Sequence, residues 1–281
     1  PELLGVQTAA PSNVAIRRSG AWERTTTINT NRSVYTYTET TPKDGNYDFV
    51  AEGTAKPELD FKIETRYAEP KKIAAWTKLT MESLQDIPSL QSIATNLLAS
   101  KHDRFREKAI LTADGTGESP EGAFTIARAF NAGAMANTVP NPNIMHVINA
   151  VVTDVYTTQN YEDETNYMPS LVMMNPIDFF TEFNAAVDGD GRQLYPTASL
   201  FSEVTIGGLR IVPEQDVPVG KIFVADMSKY NTTNYMSYKV SIGRINDDFI
   251  KNQLVILGES RFHAFVKNLD KLAFVYDDIA T

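Results

Sequence analysis

The sequence predicts an α+β chain, and three observations predict it. Two extended, polar strands lie near the N-terminal end, one long helix follows, and a run of alternating helices and strands sits between strand-forming segments from both halves of the chain. At 281 residues with 42% hydrophobic and 22% charged side chains, the composition is that of a folded protein with a core large enough to need no staples. About 150 residues per domain allows one large domain or two intertwined ones.

Residues 1–28 mix prolines, small residues and isolated apolar ones without periodicity, and read as an N-terminal arm that orders only against something else, such as a neighbouring chain. Residues 29–75 read as a long β-hairpin. Ser33–Glu39 is rich in aromatic and β-branched residues, Thr41–Asn46 in turn formers, and Asp60–Tyr67 alternates Phe61 and Ile63 with Lys62, Glu64 and Arg66. So polar a hairpin is marginal alone and is expected to lie on a partner. Between its strands, Ala51-Glu-Gly-Thr-Ala-Lys-Pro-Glu58 has the small residues, Gly and Pro of an exposed loop.

Residues 73–80 read as a strand, with Ser83 and Asp86 as helix-capping candidates and Pro88 at a tolerated first-turn position. From Pro88 to Leu111 runs the strongest helix, with Leu90, Ile93, Leu97, Leu98, Phe105, Ala109 and Ile110 near helical spacing. Its second half, Lys101–Lys108, reads as a charged solvent or interface face. A helix at residues 143–160, a buried strand at Leu171–Asn175 and a helix opened by Pro176 follow. Then come a turn at Asp188–Gly191 and strands at Val204–Val212, Lys221–Ala225 and Tyr235–Arg244, making an α/β module of roughly 130–245. The apolar runs Leu254–Leu257 and Arg261–Val266 close the chain. Their natural partner is the strand at 73–80, which implies a discontinuous second domain built from both ends.

Composition excludes several chemistries. Cysteine is absent, which removes disulfides, thiolate metal sites and cysteine nucleophiles. The three histidines, His102, His146 and His263, are far apart, so there is no HExxH metal site, and no cofactor is expected. No GxSxG elbow is present. Asp114-Gly-Thr-Gly117 lacks the ending of a phosphate loop, and Asp188-Gly-Asp-Gly191 lacks the acidic spacing of a calcium loop; both read as turns. His263 reads as a core residue, His102 as a surface one and His146 as an ordinary helix-start residue. A formal charge of −9 argues against a broad nucleic-acid-gripping face but not against enclosing nucleic acid. No apolar run reaches the roughly 18 residues of a membrane span, and no signal peptide is legible. The chain starts at Pro1, so it is expected to be trimmed or cut from a longer precursor.

With no conventional active site, the unusual features are architectural: an arm, a polar hairpin, a spine-like helix and a discontinuous domain suit an interlocking assembly. In this order the chain resembles the major capsid proteins of tailed bacteriophages, the Hong Kong 97 fold. The resemblance is carried by Ala51–Glu58, by Trp76, Met81 and Asp86-Ile-Pro88, by Asp114-Gly-Thr-Gly117 with Glu121-Gly122, and by Met174-Asn-Pro176. Asp188-Gly-Asp-Gly-Arg192, Gly207-Gly-Leu-Arg-Ile-Val-Pro213 and Asp248-Phe-Ile-Lys-Asn-Gln-Leu254 complete it.

The resemblance implies an N-terminal arm at 1–28, an extended loop at 29–75, and a peripheral domain at 76–130 and 246–281 with the spine helix at 88–112. It implies an axial domain at 131–245. It further implies a structural protein, not an enzyme, in mature form with its leader removed. Copies would assemble in the bacterial host cytoplasm as hexamers and pentamers into the icosahedral shell of a virion. That shell would enclose double-stranded DNA without sequence-specific binding and meet a portal protein and a decoration protein. The founding member joins subunits by isopeptide bonds between an extended-loop lysine and a neighbour's asparagine, assisted by a glutamate. The matching positions here are Lys56, Asn252 and Glu259. Asn252 and Glu259 are seven residues apart, so a bend or bulge, near Gly258, is expected if both serve one site. An encapsulin nanocompartment shares the fold and is the alternative; an α/β enzyme with a cleft in 130–245 is the alternative from another class.

Overall fold

The computed structural model describes residues 16, 19–45, 47–86, 90–136, 139, 142–160, 163–164, 167–187, 190–195 and 204–279. The strands are β1 (Thr26–Asn29), β2 (Tyr35–Asp44), β3 (Asp60–Ala68), β4 (Lys71–Thr80), β5 (Gln159–Asn160), β6 (Asp163–Glu164), β7 (Leu171–Met174), β8 (Val204–Ile206), β9 (Leu209–Pro213), β10 (Lys221–Ala225), β11 (Tyr230–Gly243), β12 (Gln253–Val266) and β13 (Phe274–Asp278). The principal helices are α1 (Met81–Asp86), α2 (Leu90–Thr112), α3 (Ala123–Ile126), α4 (Ile144–Thr157) and α5 (Pro176–Asp178), the last continuing into a π-helical turn at Phe179–Asn184.

Two sheets organise the molecule. One has the order β1-β11-β12-β4, the other β13-β10-β7-β9-β8, while β2 and β3 form a separate hairpin. The expected partnership of the closing apolar segment with residues 73–80 is present: β12 pairs antiparallel with β4 from Gln253↔Thr80 to Phe262↔Lys71. The two closing runs are one strand, not two. The span 204–212 is two strands joined at Gly207-Gly208, whose φ of 58° and 89° give a tight hairpin turn.

Two strands leave the expected arrangement. The sequence places Tyr235–Arg244 in the α/β module, but β11 pairs with β12 and β1. In return β13, from the C-terminal end, pairs with β10 at the edge of the five-stranded sheet. β11 is largely polar and only partly buried, and β13 is apolar over its first half, so local pattern does not decide between sheets. Against β13 and β10 pack α3 and α4, with Ile144, Ile148, Val151 and Val155 buried. Phe124 stacks on Tyr276 at 4.9 Å and meets Phe223 edge-on at 4.8 Å. Asn143 caps α4 by accepting from the His146 N–H, and His146 Nδ1 accepts the Asn143 N–H in return.

The spine helix α2 has 23 residues, about 35 Å at about 1.5 Å per residue. It crosses the four-stranded sheet over β4 and β12. Pro88 lies outside the described residues, as does the Asp188-Gly189 half of the expected turn. The first-turn cap of α1 is Thr80, whose Oγ1 accepts from the Ser83 N–H at 3.2 Å, so Ser83 is the capped and not the capping residue.

The charged half of α2 is the largest correction. Phe105, expected in the core, is exposed, while His102 and Glu107 are buried. His102 Nε2 lies 2.5 Å from Ser260 Oγ on β12. Glu107 accepts from the backbone N–H of Ser19 at 2.8 Å and from its hydroxyl at 3.3 Å. Arg106 lies 4.0 Å over the Trp22 ring, which meets Phe262 edge-on at 5.5 Å. Residues 19–28 of the expected arm therefore order against their own chain, because a buried carboxylate needs the donors that Ser19 brings. The rest of residues 1–18, Ile16 apart, lies outside the described residues.

The hairpin also has an attachment within the chain. Tyr37 stacks on Phe265 at 4.2 Å, and buried Glu39 accepts from the Asn268 N–H at 3.0 Å. Beyond that base the hairpin stands free, with Phe61 and Ile63 exposed.

Candidate functional site

Lys56 lies in the exposed loop 51–58 at the end of the hairpin. The loop turns at Gly53 (φ 84°), closed by the Thr54 N–H and hydroxyl donating to the Ala51 carbonyl. Among the described residues Lys56 makes no hydrogen bond or ion pair, so its ammonium group faces solvent and is available to another chain.

Asn252 occupies the corner just before β12. Its backbone is left-handed (φ 50°), a conformation Asn tolerates better than most residues. Its carbonyl accepts from the Met81 N–H at 2.8 Å, and its Nδ2 donates to Glu82 Oε1 at 3.4 Å. Phe249 and Ile250, just upstream, are exposed at 71% and 83%, which leaves an apolar knuckle beside the amide.

Glu259 lies inside β12 and forms an ion pair with Lys72 of β4 at 2.6 Å. The hydrogen bond from the Lys72 ammonium group holds its carboxyl below the usual carboxylate range. The expected bend between Asn252 and Glu259 is absent. The β12–β4 register runs unbroken, and the irregularities near Met236 belong to β11. Gly258 marks no bulge; its hydrogen faces the phenol of Tyr238, whose atoms fill the space a Cβ would need. At about 3.3 Å per residue, Gln253 and Glu259 are about 20 Å apart. The fold thus separates Asn252 from Glu259 within one chain, and among the described residues Lys56 bonds to neither. The residue that contacts the Asn252 amide, Glu82, was not legible beforehand because it is 170 positions away in sequence.

The cleft expected of an enzyme has a counterpart in an apolar groove of about 520 Å³, lined by Phe130, Met135, Val139, Pro142 and Val147. His146, the titratable side chain on its wall, is engaged in capping α4. Among the described residues no group of three or more His, Asp or Glu side chains could hold a metal ion. No helix there is long and apolar enough to cross a membrane.

The architecture is the Hong Kong 97 capsid fold. A chain from the capsid of a native GTA particle matches with a TM-score of 0.73 at 16% identity, covering 99% of this chain and 96% of the other. A chain from Mycobacterium phage Bobi matches with a TM-score of 0.69 at 14% identity, covering 98% and 95%. The phage capsid family matches residues 5–275, and the chain belongs to that family. The major capsid protein of Enterobacteria phage HK97 is 30% identical over 222 residues, 77% of this chain and 54% of that protein. The chain therefore spans about half the length of this curated relative.

Proposed function

We propose that this chain is the shell subunit of a tailed-phage head. Copies assemble as hexamers and pentamers into an icosahedral virion shell around double-stranded DNA, with a portal protein and a decoration protein as further partners. The observation that carries the reading is the free-standing hairpin with its exposed apolar residues, on a chain that matches the capsid family nearly end to end. Unpartnered apolar surface of that extent suits burial against other copies. The charge of −9 suits a wall that lets DNA pack without sticking.

In this reading 1–28 is the arm, 29–75 the extended loop, 131–245 the axial domain, and 76–130 with 246–281 the peripheral domain. The sheet exchange favours moving β11 to the peripheral domain and β13 to the axial one.

The finer part of the reading is an isopeptide bond between Lys56 of one copy and Asn252 of another. The neutral Lys56 amine attacks the Asn252 carboxamide carbon, and ammonia leaves. Because about 20 Å of strand separates Asn252 from Glu259, the assisting Glu259 comes from a copy other than the one that supplies Asn252. Electron microscopy of natively purified particles is expected to show closed shells, and denaturing gels a ladder of linked subunits. Lys56→Ala is expected to abolish the ladder and leave the shells; a ladder that persists would remove Lys56 from the reaction.

A further inference from the structure

We propose that Glu82 is a second carboxylate of this reaction, acting at the leaving nitrogen of Asn252. The proposal rests on the reading of Lys56 and Asn252 as the bonded pair. Its basis is the corner where β4 gives way to α1 and the chain enters β12. The ladder pair Gln253↔Thr80 fixes the two strands at their ends. One residue beyond it, the Met81 N–H donates to the Asn252 carbonyl at 2.8 Å, which pins the left-handed Asn252 backbone. The Thr80 hydroxyl holds the first turn of α1 through the Ser83 N–H and lies 2.7 Å from the Ser83 hydroxyl. These bonds set Glu82 and Asn252 side by side, 170 positions apart in sequence, with Nδ2 donating to Oε1 at 3.4 Å.

The contact orients the amide for substitution. With its NH₂ group held by Glu82 and the residue exposed, the amide remains open to an incoming amine. Attack by the neutral amine forms the new C–N bond and moves the carbonyl π pair onto Oδ1. The attacking nitrogen then carries an extra proton, and the departing NH₂ group lacks one. Glu82 takes the first proton and delivers it to Nδ2. The C–Nδ2 bond breaks, the carbonyl re-forms, and ammonia departs with Glu82 again a carboxylate. No oxidant or other reactant is required. Glu259, about one strand length away on the same chain, is left to a neighbouring copy's junction, where it accepts the proton that the incoming lysine sheds before attack.

The test compares shells of the parent, Glu82→Gln and Glu82→Asp, with the rate of ladder formation read on denaturing gels and ammonia loss at the joined peptides read by mass spectrometry. Glu82 is exposed, and shell formation is checked by electron microscopy. Positioned acid–base groups contribute about 10² to 10⁴ in rate. Glu82→Gln keeps an acceptor for the amide but cannot relay the proton, so at least a tenfold slower ladder is expected in intact shells, with Glu82→Asp recovering most of the rate. Parental ladder kinetics in Glu82→Gln would overturn the role of Glu82 while leaving the Lys56–Asn252 bond standing. Parental shells that form no ladder at all would instead overturn the crosslink reading, and the Glu82 role with it.

Discussion

At the scale of single residues, the backbone punctuation of this chain is explained by close approach. Gly122 follows the Asp114–Glu121 bridge and donates its N–H to the Ala113 carbonyl at 2.8 Å. A Cβ built there would fall 2.5 Å from the Ala113 nitrogen and 2.8 Å from the Leu111 carbonyl oxygen. These are backbone atoms at the end of α2 and cannot swing aside as a side chain can. Gly122→Ala is therefore expected to destabilise by about 3 kcal/mol, the upper part of the range for overpacking. Calorimetry of the variant checks this: a melting temperature within a degree of the parent would contradict the packing argument. The Asp-Gly-Thr-Gly…Glu-Gly pattern was legible as a turn, but the reason for its last glycine was not, because the clash is with a helix end that only the fold brings near. The same limit applied to the site. Lys56 in an exposed loop could be read from small residues, Gly and Pro; the separation of Asn252 from Glu259 depends on an unbroken β12–β4 register, which no local pattern encodes.

At the scale of elements, α2 shows why a charged face need not be a surface. Its Lys101–Lys108 stretch carries His102 and Glu107 inward, each met by a polar group from another element: Ser260 of β12 for His102 and Ser19 for Glu107. Sequence periodicity weighs apolar residues, so a seam built from paired polar ones is invisible to it. The helix itself and the β4–β12 pairing were legible, since a long periodic run and two apolar strands are strong signals. The β11 and β13 exchange was not. His102 gives this seam a pH dependence. Burial pushes its pKa below the ordinary 6.5, and Arg106 pushes the same way, against the raising effect of Asp103. Tyr238 packs on the ring at 4.6 Å, and Lys101 and Lys72 line the adjoining cavity. A base with a depressed folded-state pKa binds fewer protons folded than unfolded. Its contribution is complete above about pH 6.5 and is lost as pH falls toward the folded value. His102→Gln, which keeps a hydrogen-bonding side chain without that titration, is expected to lose less thermal stability than the parent between pH 7 and pH 5. A stability difference between the two proteins that stays constant over this interval would refute the assignment.

At the scale of the whole molecule, the apolar surface is unevenly distributed in a way that points to assembly. The cores of the two sheets are closed, yet the hairpin and its loop leave Tyr47 and Phe49 at 89% and 104% exposure, with Leu59, Phe61 and Ile63 also open. The fold of one copy does not bury the Phe49 ring. Burial of that ring comes from another chain. Burying one such side chain contributes about 2 kcal/mol, roughly a 30-fold change in an association constant per contact. In a shell the contact recurs at every subunit, and small losses per contact multiply. Phe49→Ser is thus expected to leave the circular dichroism spectrum unchanged while shifting the protein from closed shells to small oligomers, as read by sedimentation velocity at matched concentration. Shells formed at parental yield would show that the hairpin tip is not an assembly contact, and the exposed Phe249–Ile250 knuckle beside Asn252 would become the next surface to substitute.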